Sequence, residues 1–153
     1  MSSARKAFVP RTILLLSEDP TVAEQIEQAL ATYCLSHHIE WHTDIAAFQQ
    51  SLIGARLQAG SAAHVDLFMV AHTDNEERTR ETLFDLKRLK RWKLVPTVVL
   101  LKQCNPAFVR TLYHFGANTV IRYPLHFDAL QQLINTMDAY WFDTVTLPYP
   151  DDD

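Results

Sequence analysis

The chain has 153 residues, 48% of them hydrophobic, with a formal net charge of −4 and a pI near 5.9. This is the size of one domain with an ordinary core, and the acidic balance argues against nucleic acid or an anionic membrane as the main partner. The longest apolar runs are far too short to span a bilayer, residues 1–10 lack the apolar core of an export signal, and Cys34 and Cys104 make no disulfide framework, so a reduced, cytoplasmic setting is expected.

Residues 1–10 read as a flexible N-terminus, 11–142 as the domain and 143–153 as a tail. Ile13–Leu16 is a near-continuous apolar run, as expected of a parallel strand covered on both faces. Asp19 as N-cap and Pro20 at the first helical position then open a helix. Its inward stripe is Val22, Ile26, Ala29, Leu30 and Tyr33. Ile39–Thr43 alternates polar and apolar residues and suits an edge strand. Asp44–Leu57 is a second helix carrying Ala47, Phe48 and Leu52.

Val65–Val70 is the next buried strand, and Glu76–Trp92 a third helix with Leu83, Leu86 and Leu89 inward. Thr97–Leu101 is the fourth strand. Asn105-Pro106 opens a fourth helix that Gly116 closes, with Val109, Tyr113 and Ala117 as its expected buried stripe. Phe108 and Leu112 lie alongside that stripe, on a flank that a monomer would normally keep polar; they either widen the core face or belong to an interface. Thr119–Ile121 is a short edge strand. Phe127–Phe142 is a fifth helix, with Leu130, Leu133, Ile134, Met137 and Trp141 inward.

Five βα units in succession predict an α/β, three-layer, doubly wound parallel sheet of the flavodoxin-like kind. Edge-like second and fifth strands favour the order 2-1-3-4-5, which puts the switch point between strands one and three. Ligand chemistry would gather there, at Ser17-Glu18-Asp19 and Ala71.

Three stretches carry a family resemblance: Ile13–Pro20 with its acidic cluster, Val95–Leu101, and Phe115–Pro124. From about Arg11 to Phe142 the chain resembles a response-regulator receiver domain. Tyr140-Trp141 with Leu147-Pro148 resembles the ending of single-domain regulators that partner phytochrome-type kinases. The resemblance implies a phosphate-accepting aspartate, an acidic pair holding Mg²⁺, a lysine that neutralises the phosphoryl group and a hydroxyl that senses it.

The residues at those positions differ. Ala71 stands at the acceptor, Ser17-Glu18 at the acidic pair, Leu101 at the hydroxyl, Tyr123 at the lysine and Val120 at the aromatic residue that responds to phosphorylation. An alanine methyl has no oxygen to phosphorylate. The expectation is a pseudo-receiver, an interaction module that is not an enzyme and needs no cofactor or metal, with Tyr123 closing over Ala71 and offering its hydroxyl to Glu18 or Ser17. Its partner would be a histidine kinase or another signalling protein. A homodimer is expected through the fourth helix, fifth strand and fifth helix, using Phe108, Leu112, Tyr140 and Phe142. Two alternatives stand beside it: a small-ligand or anion pocket formed by Glu18, His72, Lys102 and Tyr123, and a displaced phosphate acceptor at Asp74.

Other features have plainer explanations. His37, His38 and His42 fall on a loop and an edge strand, where an extended chain holds His38 and His42 too far apart to chelate together. The basic run Lys87–Lys93 fits a solvated helix end, where the helix dipole favours cations.

Overall fold

The computed structural model describes residues 12–33, 38–59, 64–123 and 128. Five strands alternate with four helices: β1 (Thr12–Leu16), α1 (Pro20–Tyr33), β2 (His38–His42), α2 (Ile45–Ala59), β3 (Leu67–Val70), α3 (Glu76–Arg88), β4 (Thr97–Leu101), α4 (Pro106–His114) and β5 (Thr119–Arg122). The strands form one parallel sheet in the order β2-β1-β3-β4-β5. The expected fold and strand order are those observed. The fifth helix lies outside the described residues apart from Asp128, as do Cys34 and the tail.

Alternation along each strand divides the core into two layers. Ile13, Leu15, Leu67, Met69, Val98 and Leu100 face one way and pack with Val22, Ile26 and Leu30 of α1. Leu14, Leu16, Phe68, Val70 and Val99 face the other way, toward Phe48 of α2, Leu83 and Leu86 of α3, and Phe108 and Leu112 of α4. A strand buried on both faces can hold few polar side chains, which is why β1, β3 and β4 are almost wholly aliphatic.

Caps fix where the helices begin. Asp19 Oδ1 accepts the Thr21 N–H at 2.9 Å, Asp44 Oδ1 accepts Ala47 N–H at 2.8 Å, and Asn75 and Asn105 cap α3 and α4. At the end of α4 the chain turns through Gly116 at φ +110°, which leaves the left-handed conformation to the residue without a Cβ. A Cβ there would meet the Lys87 stem at 3.1 Å.

Two expectations about helices fail. Helix α3 stops at Arg88 rather than reaching Trp92, because Leu89 turns to extended backbone. The chain then folds back and buries Trp92, whose ring lies 5.2 Å from Phe48 and 5.7 Å from Phe68. Of the basic run, Lys87 is therefore no solvated end: its ammonium donates to the carbonyls of Val95, at 3.1 Å, and Lys93. Burial lowers its pKa to about 8.

Helix α4 keeps part of its expected stripe, with Ala117 buried and Val109 packed partly buried against the core, but its buried face is centred on Phe108 and Leu112. Phe108 and Leu112 are core residues, 6% and 0% exposed, whereas Tyr113 is 47% exposed. The two apolar stripes of this helix are nearly equivalent by spacing. The one carrying Phe108 and Leu112 meets Val99, Leu83 and Leu86, with Arg80 above the Phe108 ring. Phe108 and Leu112 are thus filled by the monomer itself and are not interface residues.

Candidate functional site

The carboxyl ends of the strands bring the site together. Backbone bonds extend the ladder past the strands: Ala71 N–H donates to Leu16 O at 2.8 Å, Ser17 N–H to His42 O at 3.1 Å, Lys102 N–H to Thr73 O at 3.0 Å and Tyr123 N–H to Leu101 O at 2.7 Å. Ser17, Ala71, Leu101 and Tyr123 are all buried. Glu18 lies two residues beyond β1 and His72 two beyond β3. These are neighbouring strands, so their side chains meet.

His72 organises this edge. Its imidazole is fully buried; Nδ1 bonds the Glu18 carboxylate and Nε2 lies 3.2 Å from the Thr82 hydroxyl. The Thr79 hydroxyl donates to the His72 carbonyl. A neutral ring satisfies every group, with Nδ1–H donating to Glu18 and Nε2 accepting from Thr82. Desolvation lowers the His72 pKa, outweighing the upward pull of Glu18; nearby Arg78 adds to the lowering and Asp44 opposes it. Arg78 and Asp44 themselves pair at 3.7 Å.

The remaining polar groups disperse. The Tyr123 ring shares a core cluster with Ala71, but its hydroxyl donates to Gln25 Oε1 on α1, not to Glu18 or Ser17. Burial and the charge of Asp19 raise the Tyr123 pKa. Lys102 Nζ reaches outward to Asp74 at 3.1 Å, an exposed pair. Ser17 turns its hydroxyl to its own loop, where it accepts the Asp19 N–H at 3.2 Å, and its carbonyl accepts the Trp41 indole N–H at 2.8 Å. Glu18, His72, Lys102 and Tyr123 thus each have a partner, and only the first two meet.

Divalent metal does not fit this donor set. Of the residues at the carboxylate positions, Ala71 offers a methyl, Ser17 a hydroxyl already bonded, and Glu18 a carboxylate held by His72. Among the described residues no three His, Cys, Asp or Glu side chains form a metal-holding group. His42 is occupied with Glu40 at 2.6 Å, and His37 lies outside the described residues.

Sequence reasoning missed three partners of the site: Thr82, Thr79 and Gln25. The first two carried a signal. Threonines three apart on the buried face of α3 require hydrogen-bond partners within the core. Tyr140 and Phe142 lie outside the described residues.

A five-stranded parallel sheet in this order is the fold seen in solved response-regulator receivers. The chain is similar to response regulator Rcp1 of Synechocystis sp., 22% identical over 139 residues that cover 91% of this chain and 94% of that protein. Among solved structures it is similar to the phosphorylated cyanobacterial phytochrome response regulator RcpA. The TM-score is 0.76 at 22% identity, covering 92% of this chain and 99% of that one. It is also similar to a response regulator in red light signalling of R. palustris, with TM-score 0.76 and 15% identity over 93% of this chain and 100% of that one. No protein-family model matches the chain. Among the described residues no helix is long and apolar enough to cross a membrane.

Proposed function

We propose that the chain is a pseudo-receiver, a signalling module that binds a protein partner inside the cell without turnover and is not phosphorylated at Ala71. One observation carries the reading: the strand end where a receiver needs a nucleophile offers a buried methyl, and the one carboxylate beside it is bonded to His72. The similarity to phytochrome and red-light response regulators favours a histidine kinase or a protein of the same pathway as the partner. Incubation with acetyl phosphate and Mg²⁺, read by intact mass, tests the chemistry. No mass gain is expected, and a stoichiometric gain of one phosphoryl group at the strand end would overturn the reading.

Self-association through α4, β5 and the fifth helix is a finer part of the proposal. Its apolar content on α4 is Tyr113 and, just beyond, the partly exposed Phe115. The Tyr113 hydroxyl accepts the Val120 N–H at 3.0 Å, which ties α4 to the edge strand. Sedimentation of the native chain and of Tyr113→Asp tests this; equal dimer affinity in both would remove α4 from the interface.

A second reading has one observation in its favour. Exposed Asp74 sits beside Lys102 at 3.1 Å, so two of the four receiver group types recur one step outward. Among the described residues no acidic pair flanks them to recruit metal, which ranks phosphorylation there second. Mass gain abolished by Asp74→Asn would establish it.

A further inference from the structure

The misfit between this site and a divalent cation has a specific cause beyond the missing acids. Glu18 stands at one of the acidic positions that the receiver resemblance assigns to metal binding, and its side chain is 38% exposed at the mouth of the site. It is nonetheless bonded to Nδ1 of a fully buried imidazole. That imidazole is fixed on its other side by Thr82 and through its own backbone carbonyl by Thr79. It cannot follow the carboxylate outward. We infer that His72 holds Glu18 in place of a cation, so that an internal hydrogen bond blocks metal binding even where the missing carboxylates are supplied.

The inference rests on the pseudo-receiver reading and deepens it. A cation at the strand end would have to take the Glu18 oxygen from Nδ1–H. The buried imidazole N–H would then lose its acceptor, and a charge-assisted bond would be lost with it. Hard divalent ions need several oxygen ligands at once, so one captured carboxylate removes the anchor of the set. His72 is therefore a positioning residue. It acts through Glu18 and touches no metal.

The test supplies the missing acid and then frees Glu18. Mn²⁺ binding is counted by loss of the free-ion electron paramagnetic resonance signal. Two backgrounds are used, Ala71→Asp and Ser17→Asp, each with His72 kept and with His72→Val, and circular dichroism confirms folding. The expected result is at least tenfold tighter Mn²⁺ binding once His72 is replaced. His72→Asn, whose amide N–H stands near the place of Nδ1–H, should restore the block.

Equal affinity with and without His72 would overturn the inference, as would folded variants lacking His72 that still bind no Mn²⁺. Use of two backgrounds keeps the comparison open if one carboxylate cannot be accommodated. Phosphorylation of the native chain at the strand end would remove the pseudo-receiver reading and leave this comparison of variants standing, so the two failures are distinguishable.

Discussion

Ala71→Asp puts a carboxylate where the structure has a fully buried methyl, between buried Ser17 and the Tyr123 ring. Among the described residues the nearby cationic groups are already paired, Arg78 with Asp44 at 3.7 Å. The imidazole of His72 is committed to Glu18 and Thr82, and the Lys102 ammonium to Asp74. Desolvation and the neighbouring Glu18 charge both favour the protonated acid. A pKa raised by about 2–3 in such a place corresponds to ~3–4 kcal/mol at neutral pH. In a chain of this length that is a fall in Tm of about 6–16 °C. The sign follows from linkage. For an acid whose folded pKa is raised, the penalty is absent below the unfolded carboxyl value and grows as pH rises through the folded one. The deficit against the native chain should therefore widen from about pH 4 to about pH 7. Thermal unfolding followed by circular dichroism at pH 4, 5.5 and 7.5 measures it. An unchanged or raised Tm at pH 7.5 would refute the reasoning and show that water or Lys102 reaches the strand end.

Leu112→Ala, at a fully buried core position, should cost ~2–5 kcal/mol in chemical denaturation without changing the association state, since its side chain is spent inside the monomer. Because burial lowers the His72 pKa, its stabilising contribution is complete above the ordinary value of 6.5 and fades as pH falls below it; the Tm of the native chain should drop more steeply between pH 6.5 and 5 than that of His72→Gln. Lys87, lowered to about 8, should make the native chain gain stability relative to Lys87→Gln as pH rises from about 8 toward 10.5, because the neutral amine keeps its bonds to the Val95 and Lys93 carbonyls without a charge to desolvate.

Much of this protein is set by the order of its residues alone. Aliphatic runs of strand length can be satisfied only by burial on both faces, so β1, β3 and β4 had to be central parallel strands, with alternating β2 and short β5 at the edges. Cap residues at Asp19, Asp44, Asn75 and Asn105 mark helix starts because each supplies an acceptor to the first turn. The methyl of Ala71 is likewise a matter of sequence, and so is the absence of a lysine at Tyr123.

Tertiary structure decided the rest, wherever a choice depended on contacts distant along the chain. The buried face of α4 is one case: spacing allows either Tyr113 or the pair Phe108 and Leu112 beside Val109 and Ala117, and in the folded core with Leu83, Leu86 and Val99 it is Phe108 and Leu112 that are buried. Helix α3 ends early because Trp92 gains more from Phe48 and Phe68, residues 44 and 24 positions away, than from another helical turn. Tyr123 finds Gln25 and not Glu18 because α1 lies across that end of the sheet. Glu18 and His72, 54 residues apart, meet because β1 and β3 are neighbours, and only that adjacency turns a surviving carboxylate into a bonded one.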